Sequence, residues 1–93
     1  MSMINDEILI LAQYVKNSKY RTKALGGLYH NPLTPTKLSK VTGIHISHIS
    51  TPLKELMGKG CVRLVNPEAY KGRLYVITNT GETVYNLLME GVL

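Results

Sequence analysis

Residues Thr34 to Val65, TPTKLSKVTGIHISHISTPLKELMGKGCVRLV, read as a short helix, a tight glycine turn, a second helix and a strand. Thr34 is placed to cap the first helix and Pro35 to open it, since the first helical N–H has no partner to lose. Leu38 and Val41 are expected inward and Lys37 and Lys40 outward. Gly43 makes the turn and Ile44 anchors it to the core. The second helix is expected from about Ile46 to Lys59, with Gly58 and Gly60 helping to end it. Its front, Ser47-His48-Ile49-Ser50-Thr51, is mostly small and polar, whereas its rear, Leu53-Lys54-Glu55-Leu56-Met57, is amphipathic. Short hydrogen-bonding side chains at a helix front, set among cations, suit the major groove of DNA, where base edges present donors and acceptors. Ser and Thr also favour helix starts whatever the function, so capping and solvent exposure are the plain alternative.

Two residues in this stretch leave alternatives open. Proline inside a helix removes a backbone bond and clashes with the preceding turn, costing about 3 kcal/mol. Pro52 therefore implies either a kink or a regular helix that starts later, with residues 46–50 forming a looser turn. Cys61 is the single cysteine, so no disulfide can form within the chain. It reads as a buried thiol at the helix-to-strand junction, with a symmetric Cys61–Cys61 bridge between two copies as the sharper alternative.

Upstream, residues 3–17 form a helical segment with Ile4, Ile8, Leu11 and Val15 on one apolar stripe and Ile10 and Tyr14 on an adjacent one. So much apolar circumference predicts a second partner for this helix. Residues 19–30 continue as a helix with Tyr20, Ala24, Leu25 and Leu28 inward. Gly26-Gly27 weakens it by about 1 kcal/mol per glycine, a cost consistent with close backbone packing. Asn31-Pro32 ends that segment. Downstream, Cys61–Val65 and Arg73–Ile77 are strand-like and flank the turn-rich Asn66–Gly72, which predicts a hairpin with a fairly long loop. Thr80 or Asn79 is expected to cap a last helix whose apolar face is Val84, Leu87 and Leu88. No repeat, linker or low-complexity tract interrupts the chain.

Ninety-three residues predict one domain, residues 1–93, with a single modest core. The net charge is +5 and unevenly spread. Residues 16–73 hold all eleven Lys and Arg against Glu55 and Glu68, a net of +9, while the flanks carry four acids and no cation. A cationic middle between acidic ends is the footprint expected of a nucleic-acid-binding domain. No apolar run approaches the roughly 20 residues that span a bilayer, and no basic stretch leads into an apolar one at the N-terminus. The expected location is intracellular, with no membrane partner.

The order helix, helix, helix-turn-helix, β-hairpin, helix resembles the winged-helix DNA-binding regulators of the MarR-like and ArsR-like families. The resemblance covers roughly residues 19–85. It is carried by Thr34-Pro35-Thr36-Lys37-Leu38, Thr42-Gly43-Ile44 and Ile49-Ser50 leading into Leu53-Lys54-Glu55-Leu56. It continues through Lys59-Gly60-Cys61-Val62, Lys71–Thr78 and the closing T-x-x-G of Thr78-Asn79-Thr80-Gly81. Small size and the wing wording look most like archaeal or archaeal-virus members.

The resemblance implies an α+β fold with a three-helix core and a β-hairpin wing, residues 19–78. Terminal helices in residues 1–18 and 79–93 would serve dimerisation. It further implies a transcriptional regulator binding double-stranded DNA as a homodimer on a pseudo-palindromic site. Ser47, His48, Ser50 and Thr51 would face base edges or phosphates, and Lys54 would reach the backbone. Thr36, Lys37 and Lys40 would lie on the supporting helix, and Lys71 and Arg73 would be the wing cations, on the backbone or minor groove. Ile4, Ile8, Leu11, Val15, Val84, Leu87 and Leu88 would form the dimer interface. One departure is Pro52, where the family carries Arg, His or another helix former. The base-reading Arg frequent near that point is absent, which points away from guanine readout by this helix.

Other functions find less support in the residues. His45-x-x-His48 has ligand spacing, but neither a cysteine pair nor a His/Asp/Glu cluster completes a metal site. The acids are scattered, and no nucleophile neighbours a base, so no enzyme and no cofactor are expected. A winged-helix protein–protein interaction module is the alternative, since fold alone does not set function. The sequence is silent on a small-molecule effector, and its short length slightly favours a constitutive binder.

Overall fold

The computed structural model describes residues 5–91, so Ile4 and Val92 lie outside the described residues. Helices α1 (Asp6–Lys16), α2 (Lys19–Leu28) and α3 (Pro35–Thr42) lead into a 3₁₀ turn (Ile46–His48) and α4 (Ser50–Gly58). Strands β1 (Val62–Leu64) and β2 (Tyr75–Ile77) follow, and α5 (Asn79–Met89) closes the order. The strands pair antiparallel with Val62 opposite Ile77 and Leu64 opposite Tyr75. Leu33, just before the α3 cap, extends this hairpin on its other edge by exchanging two 3.0 Å backbone bonds with Tyr75.

Side chains set the helix starts. Asn5, Ser18, Thr34 and Thr78 each accept a bond from the backbone N–H three residues on, satisfying a donor that the helix cannot. The cap of α5 is therefore Thr78, one residue before Asn79 and two before Thr80, the expected positions. Thr78 also donates its hydroxyl to the Gly60 carbonyl at 2.6 Å, and its N–H bonds the Cys61 carbonyl at 3.0 Å. Gly81 lies so close to that carbonyl that an added Cβ would come within 2.2 Å of it. The T-x-x-G motif thus locks the start of α5 onto the junction between α4 and β1.

The core joins Val15 of α1, Leu25 and Leu28 of α2, Leu38 of α3, Leu53 and Leu56 of α4, Val62 of β1 and Val84 of α5. This corrects the expected dimer face. Val15 and Val84 are fully buried and Leu87 nearly so within this one chain, because α1 packs along α5. Those three side chains have no surface left for a second copy. Ile8, Leu11 and Leu88 are half-buried, and Ile10 and Met89 are exposed.

Three further expectations change. Val41 is 66% exposed, since the eight-residue α3 turns only Leu38 into the core. Tyr20 is 42% exposed, because the inward stripe of α2 runs through Ala24, Leu25 and Leu28 and leaves it at the margin. Gly26 and Gly27 make room for side chains rather than backbone: the Tyr85 ring on one, Leu38 and Thr42 on the other.

Cys61 is free and fully buried. Burial pushes its thiol from 9.0 up to about 11, because an apolar surrounding disfavours the thiolate. A bridge to a second copy would require opening the α4–β1 junction, so the folded chain does not present this thiol for one.

Candidate nucleic-acid interface

The helix-turn-helix is held by its own short polar side chains. Gly43 takes the left-handed conformation at φ 77°, which L side chains rarely adopt. Thr42 donates to the Leu38 carbonyl at 2.7 Å and accepts from the Ile44 N–H at 3.2 Å, while Ser39 donates to the Ile44 carbonyl. Ile44 is buried beneath the turn. The direction in which α4 leaves α3 is therefore fixed by both backbone conformation and side-chain bonding.

Pro52 does not kink the second helix. The regular helix starts late: residues 46–48 form a 3₁₀ turn, Ile49 is buried at the joint, and α4 begins at Ser50. Pro52 is then the third residue of α4, within the first turn, whose N–H groups have no intrahelical acceptor in any helix. The first α4 bond comes from the Leu53 N–H to the Ile49 carbonyl, at 3.4 Å. Pro52 separates the 3₁₀ turn from the α-helix at no cost to the α4 hydrogen-bond ladder.

The polar front is thereby divided. His45 caps the 3₁₀ turn, with its Nδ1 accepting from the Ser47 N–H at 3.1 Å and lying 2.8 Å from the Ser47 hydroxyl. An Nδ1 that accepts from the N–H can accept from the hydroxyl only by sharing its single lone pair, so the Ser47 hydroxyl remains able to donate or accept toward a ligand. The His48 ring stacks on Tyr20 at 6.0 Å and 27°, and meets the His45 ring at 6.2 Å and 60°. Ser50, Thr51 and Lys54 are exposed on α4, opposite the buried Pro52, Leu53 and Leu56. Thr36, Lys37 and Lys40 are exposed on α3. Tyr20 is the contact that sequence reasoning misses; its only signal is its place between Lys19 and Arg21.

The wing is braced at its base. Asn66 accepts from the Leu74 N–H at 2.7 Å, donates to the Gly72 carbonyl at 3.1 Å, and accepts through its own carbonyl from the Ala69 N–H at 2.9 Å. Gly72, at φ 64°, turns the chain back toward β2. Lys71 and Arg73 are exposed, and an open cleft of about 360 Å³ separates Tyr70–Arg73 from Thr34–Thr36 at the start of α3. The structure thus brings the wing cations beside the supporting helix.

Two cations brace the fold, and five others lie around the helix front and the wing. Arg21 lies over the Tyr14 ring at 3.8 Å, donates its Nε and a terminal nitrogen to the Tyr14 carbonyl, and pairs with Glu55 at 3.2 Å. Lys59 lies 5.0 Å from the same ring. Both tie α1 to the rest of the fold. Among the described residues, Lys37, Lys40, Lys54, Lys71 and Arg73 take part in no ion pair. No group of three His, Cys, Asp or Glu among the described residues could hold a metal. No helix among them is long and apolar enough to cross a membrane.

This arrangement is a winged helix-turn-helix, and comparison with solved structures shows the same fold. A MarR family transcription regulator superposes with a TM-score of 0.74 at 20% identity, covering 91% of this chain and 58% of its own. A transcriptional regulator from Thermotoga maritima gives 0.68 at 24% identity, covering 90% of this chain and 60% of its own. The homodimeric winged helix-turn-helix DNA-binding domain of a possible ArsR-family transcriptional regulator from Mycobacterium bovis gives 0.64 at 21% identity, covering 99% of this chain and 89% of its own. The chain thus spans about three-fifths of the length of the first two. No protein-family model matches it, and no curated protein matches its sequence.

Proposed function

We propose that this chain is a transcriptional regulator that binds double-stranded DNA as a homodimer on a pseudo-palindromic site. The observation that carries the reading is the division of the cations. Arg21 and Lys59 are engaged with Tyr14, whereas the cations of α3, α4 and the wing are exposed and outside any ion pair around an uncharged polar helix front. In this reading the 3₁₀ turn and first turn of α4 meet the major groove, with Ser47, His48, Ser50 and Thr51 at base edges or phosphates. Thr36, Lys37, Lys40 and Lys54 take the backbone, and Lys71 and Arg73 the backbone or minor groove. With small side chains in place of an Arg, much of the specificity falls to site spacing and DNA shape.

The second copy would dock on the terminal helices through Ile8, Leu11 and Leu88, joined by the exposed Ile10 and Met89. The site of action would be the cytoplasm, or the host cytoplasm for an archaeal-virus protein. The deciding experiment is binding of random-sequence duplex across a salt series, followed by selection of bound DNA from a random pool. Affinity that falls steeply with salt and a selected palindrome support the reading. Salt-independent or absent binding favours a winged-helix protein–protein interaction module, and a monomer in sedimentation at micromolar concentration removes the dimer.

A further inference from the structure

We infer that Tyr70, at the tip of the wing, is a specificity-determining contact that enters the DNA minor groove and favours narrow, A·T-rich sequence. This inference rests on the DNA-binding reading and extends it from the wing's cations to its aromatic residue. The chain has six tyrosines, and the other five are engaged. Tyr14 lies beneath Arg21, Tyr20 stacks on His48, and Tyr29 bonds Asn86 and packs on Tyr85, which covers Gly26. Tyr75 packs against the core. Tyr70 alone is 93% exposed.

An aromatic ring held in water forgoes its apolar burial, and here it stands on a loop braced at its base. The three Asn66 bonds and the left-handed Gly72 fix the base of that loop, so the backbone that carries the ring is ordered before it binds and only the side chain remains to be fixed. Its surroundings suit a polyanion. Lys71 follows it directly, Arg73 lies three residues on, and Glu68, two residues before it, is the one acid of the loop; no acid lies on the facing wall of the cleft, Thr34–Thr36. A phosphodiester backbone in that cleft would find cations on one wall and threonine hydroxyls on the other. Tyr70, on the wing side of the cleft, would then meet the sugars and base edges of the adjoining minor groove. A flat ring can slide edge-on into a groove about 6 Å wide, and it gains most contact where A·T pairs narrow that groove. An exposed aromatic beside cations is also the pairing that nucleic-acid contacts use, by stacking or wedging.

The chain contains no tryptophan, so Tyr70→Trp provides a single fluorescent reporter in the full protein. The probes are labelled 30-base-pair duplexes, one all A·T and one all G·C, with binding followed independently by DNA anisotropy. Tyr70→Trp emission should be shielded from acrylamide in the A·T complex. Tyr70→Ala should lose about fivefold or more in affinity for the A·T duplex, lose less for the G·C duplex, and keep its salt slope. Tyr70→Phe should retain the preference, and Lys71→Ala should lower the slope instead. Bound complexes in which the reporter stays fully accessible, or an A·T preference unchanged by Tyr70→Ala, would overturn the inference while leaving DNA binding intact. Failure of the unsubstituted protein to bind either duplex would remove the underlying reading itself.

Discussion

Replacing Arg21 with Met should unfold the protein more easily without changing how its DNA affinity responds to salt. Met keeps most of the stem but removes the guanidinium. Three interactions are lost. The cation over the Tyr14 ring, at 3.8 Å, contributes about 1–2 kcal/mol, between the exposed and desolvated limits. The charged donor on the Tyr14 carbonyl contributes about 1.5–3 kcal/mol, since that acceptor then loses its partner. The pair with Glu55 adds at most about 1 kcal/mol, because the Glu55 side chain is 37% exposed. These terms overlap on one side chain, so the expected loss is about 2–4 kcal/mol. At roughly 4–8 °C per kcal/mol for a domain of this size, the melting midpoint should fall by about 10 °C or more. Urea unfolding followed by circular dichroism measures the first quantity. The second is the slope of log affinity against log salt, from anisotropy at a temperature where both proteins are folded. Lys54→Ala provides the contrast: nearly unchanged stability, with a slope lower by about 0.9 per protomer and so about 1.8 per dimer. A stability loss under about 0.5 kcal/mol for Arg21→Met, or a slope change as large as that of Lys54→Ala, would refute the division of the cations.

Gly81→Ala should cost about 3 kcal/mol or more, since its Cβ would sit 2.2 Å from the immobile Cys61 carbonyl. Gly58→Ala, with no neighbouring atom within 4 Å, should instead stabilise α4 by about 0.5–1 kcal/mol; chemical denaturation of both variants checks the contrast. Cys61 should make stability fall in alkali. The unfolded thiol ionises from about 9.0 upward and the folded one only near 11, so the unfolded state binds fewer protons in that window. The contribution is complete below 9.0 and lost through 11, which two pKa units set at about 3 kcal/mol. The stability difference between the protein and Cys61→Ala should therefore narrow by that order between pH 8 and 11. The same thiol should react slowly with Ellman's reagent at pH 8, and rapid reaction would contradict its burial.

Much of the fold was legible because its signals are local. Thr34-Pro35 opens a helix and Gly43 adopts a left-handed turn through interactions within a few residues, so a one-dimensional reading captures them. The pairing of Leu33 to Tyr75 spans the whole helix-turn-helix, so no local signal marks it. Val41 and Tyr20 end up exposed because helical spacing gives a stripe but not its edges; these depend on the neighbours against which the helix packs. The candidate site was legible as a set of residue types. Its exposed cations could not be told from Arg21, whose partners Tyr14 and Glu55 lie on two other helices.

The order of elements, the Thr34 cap and the charge segregation are written in the sequence alone, since they follow from local backbone chemistry and composition. Tertiary structure decided how the long side chains are used. It buried Val15, Val84 and Leu87 in this chain's own core, turned Arg21 into a brace, left Tyr70 in water and placed Pro52 where a helix needs no N–H. Each outcome depends on what a side chain meets across the fold, and spacing along the chain does not encode that distance.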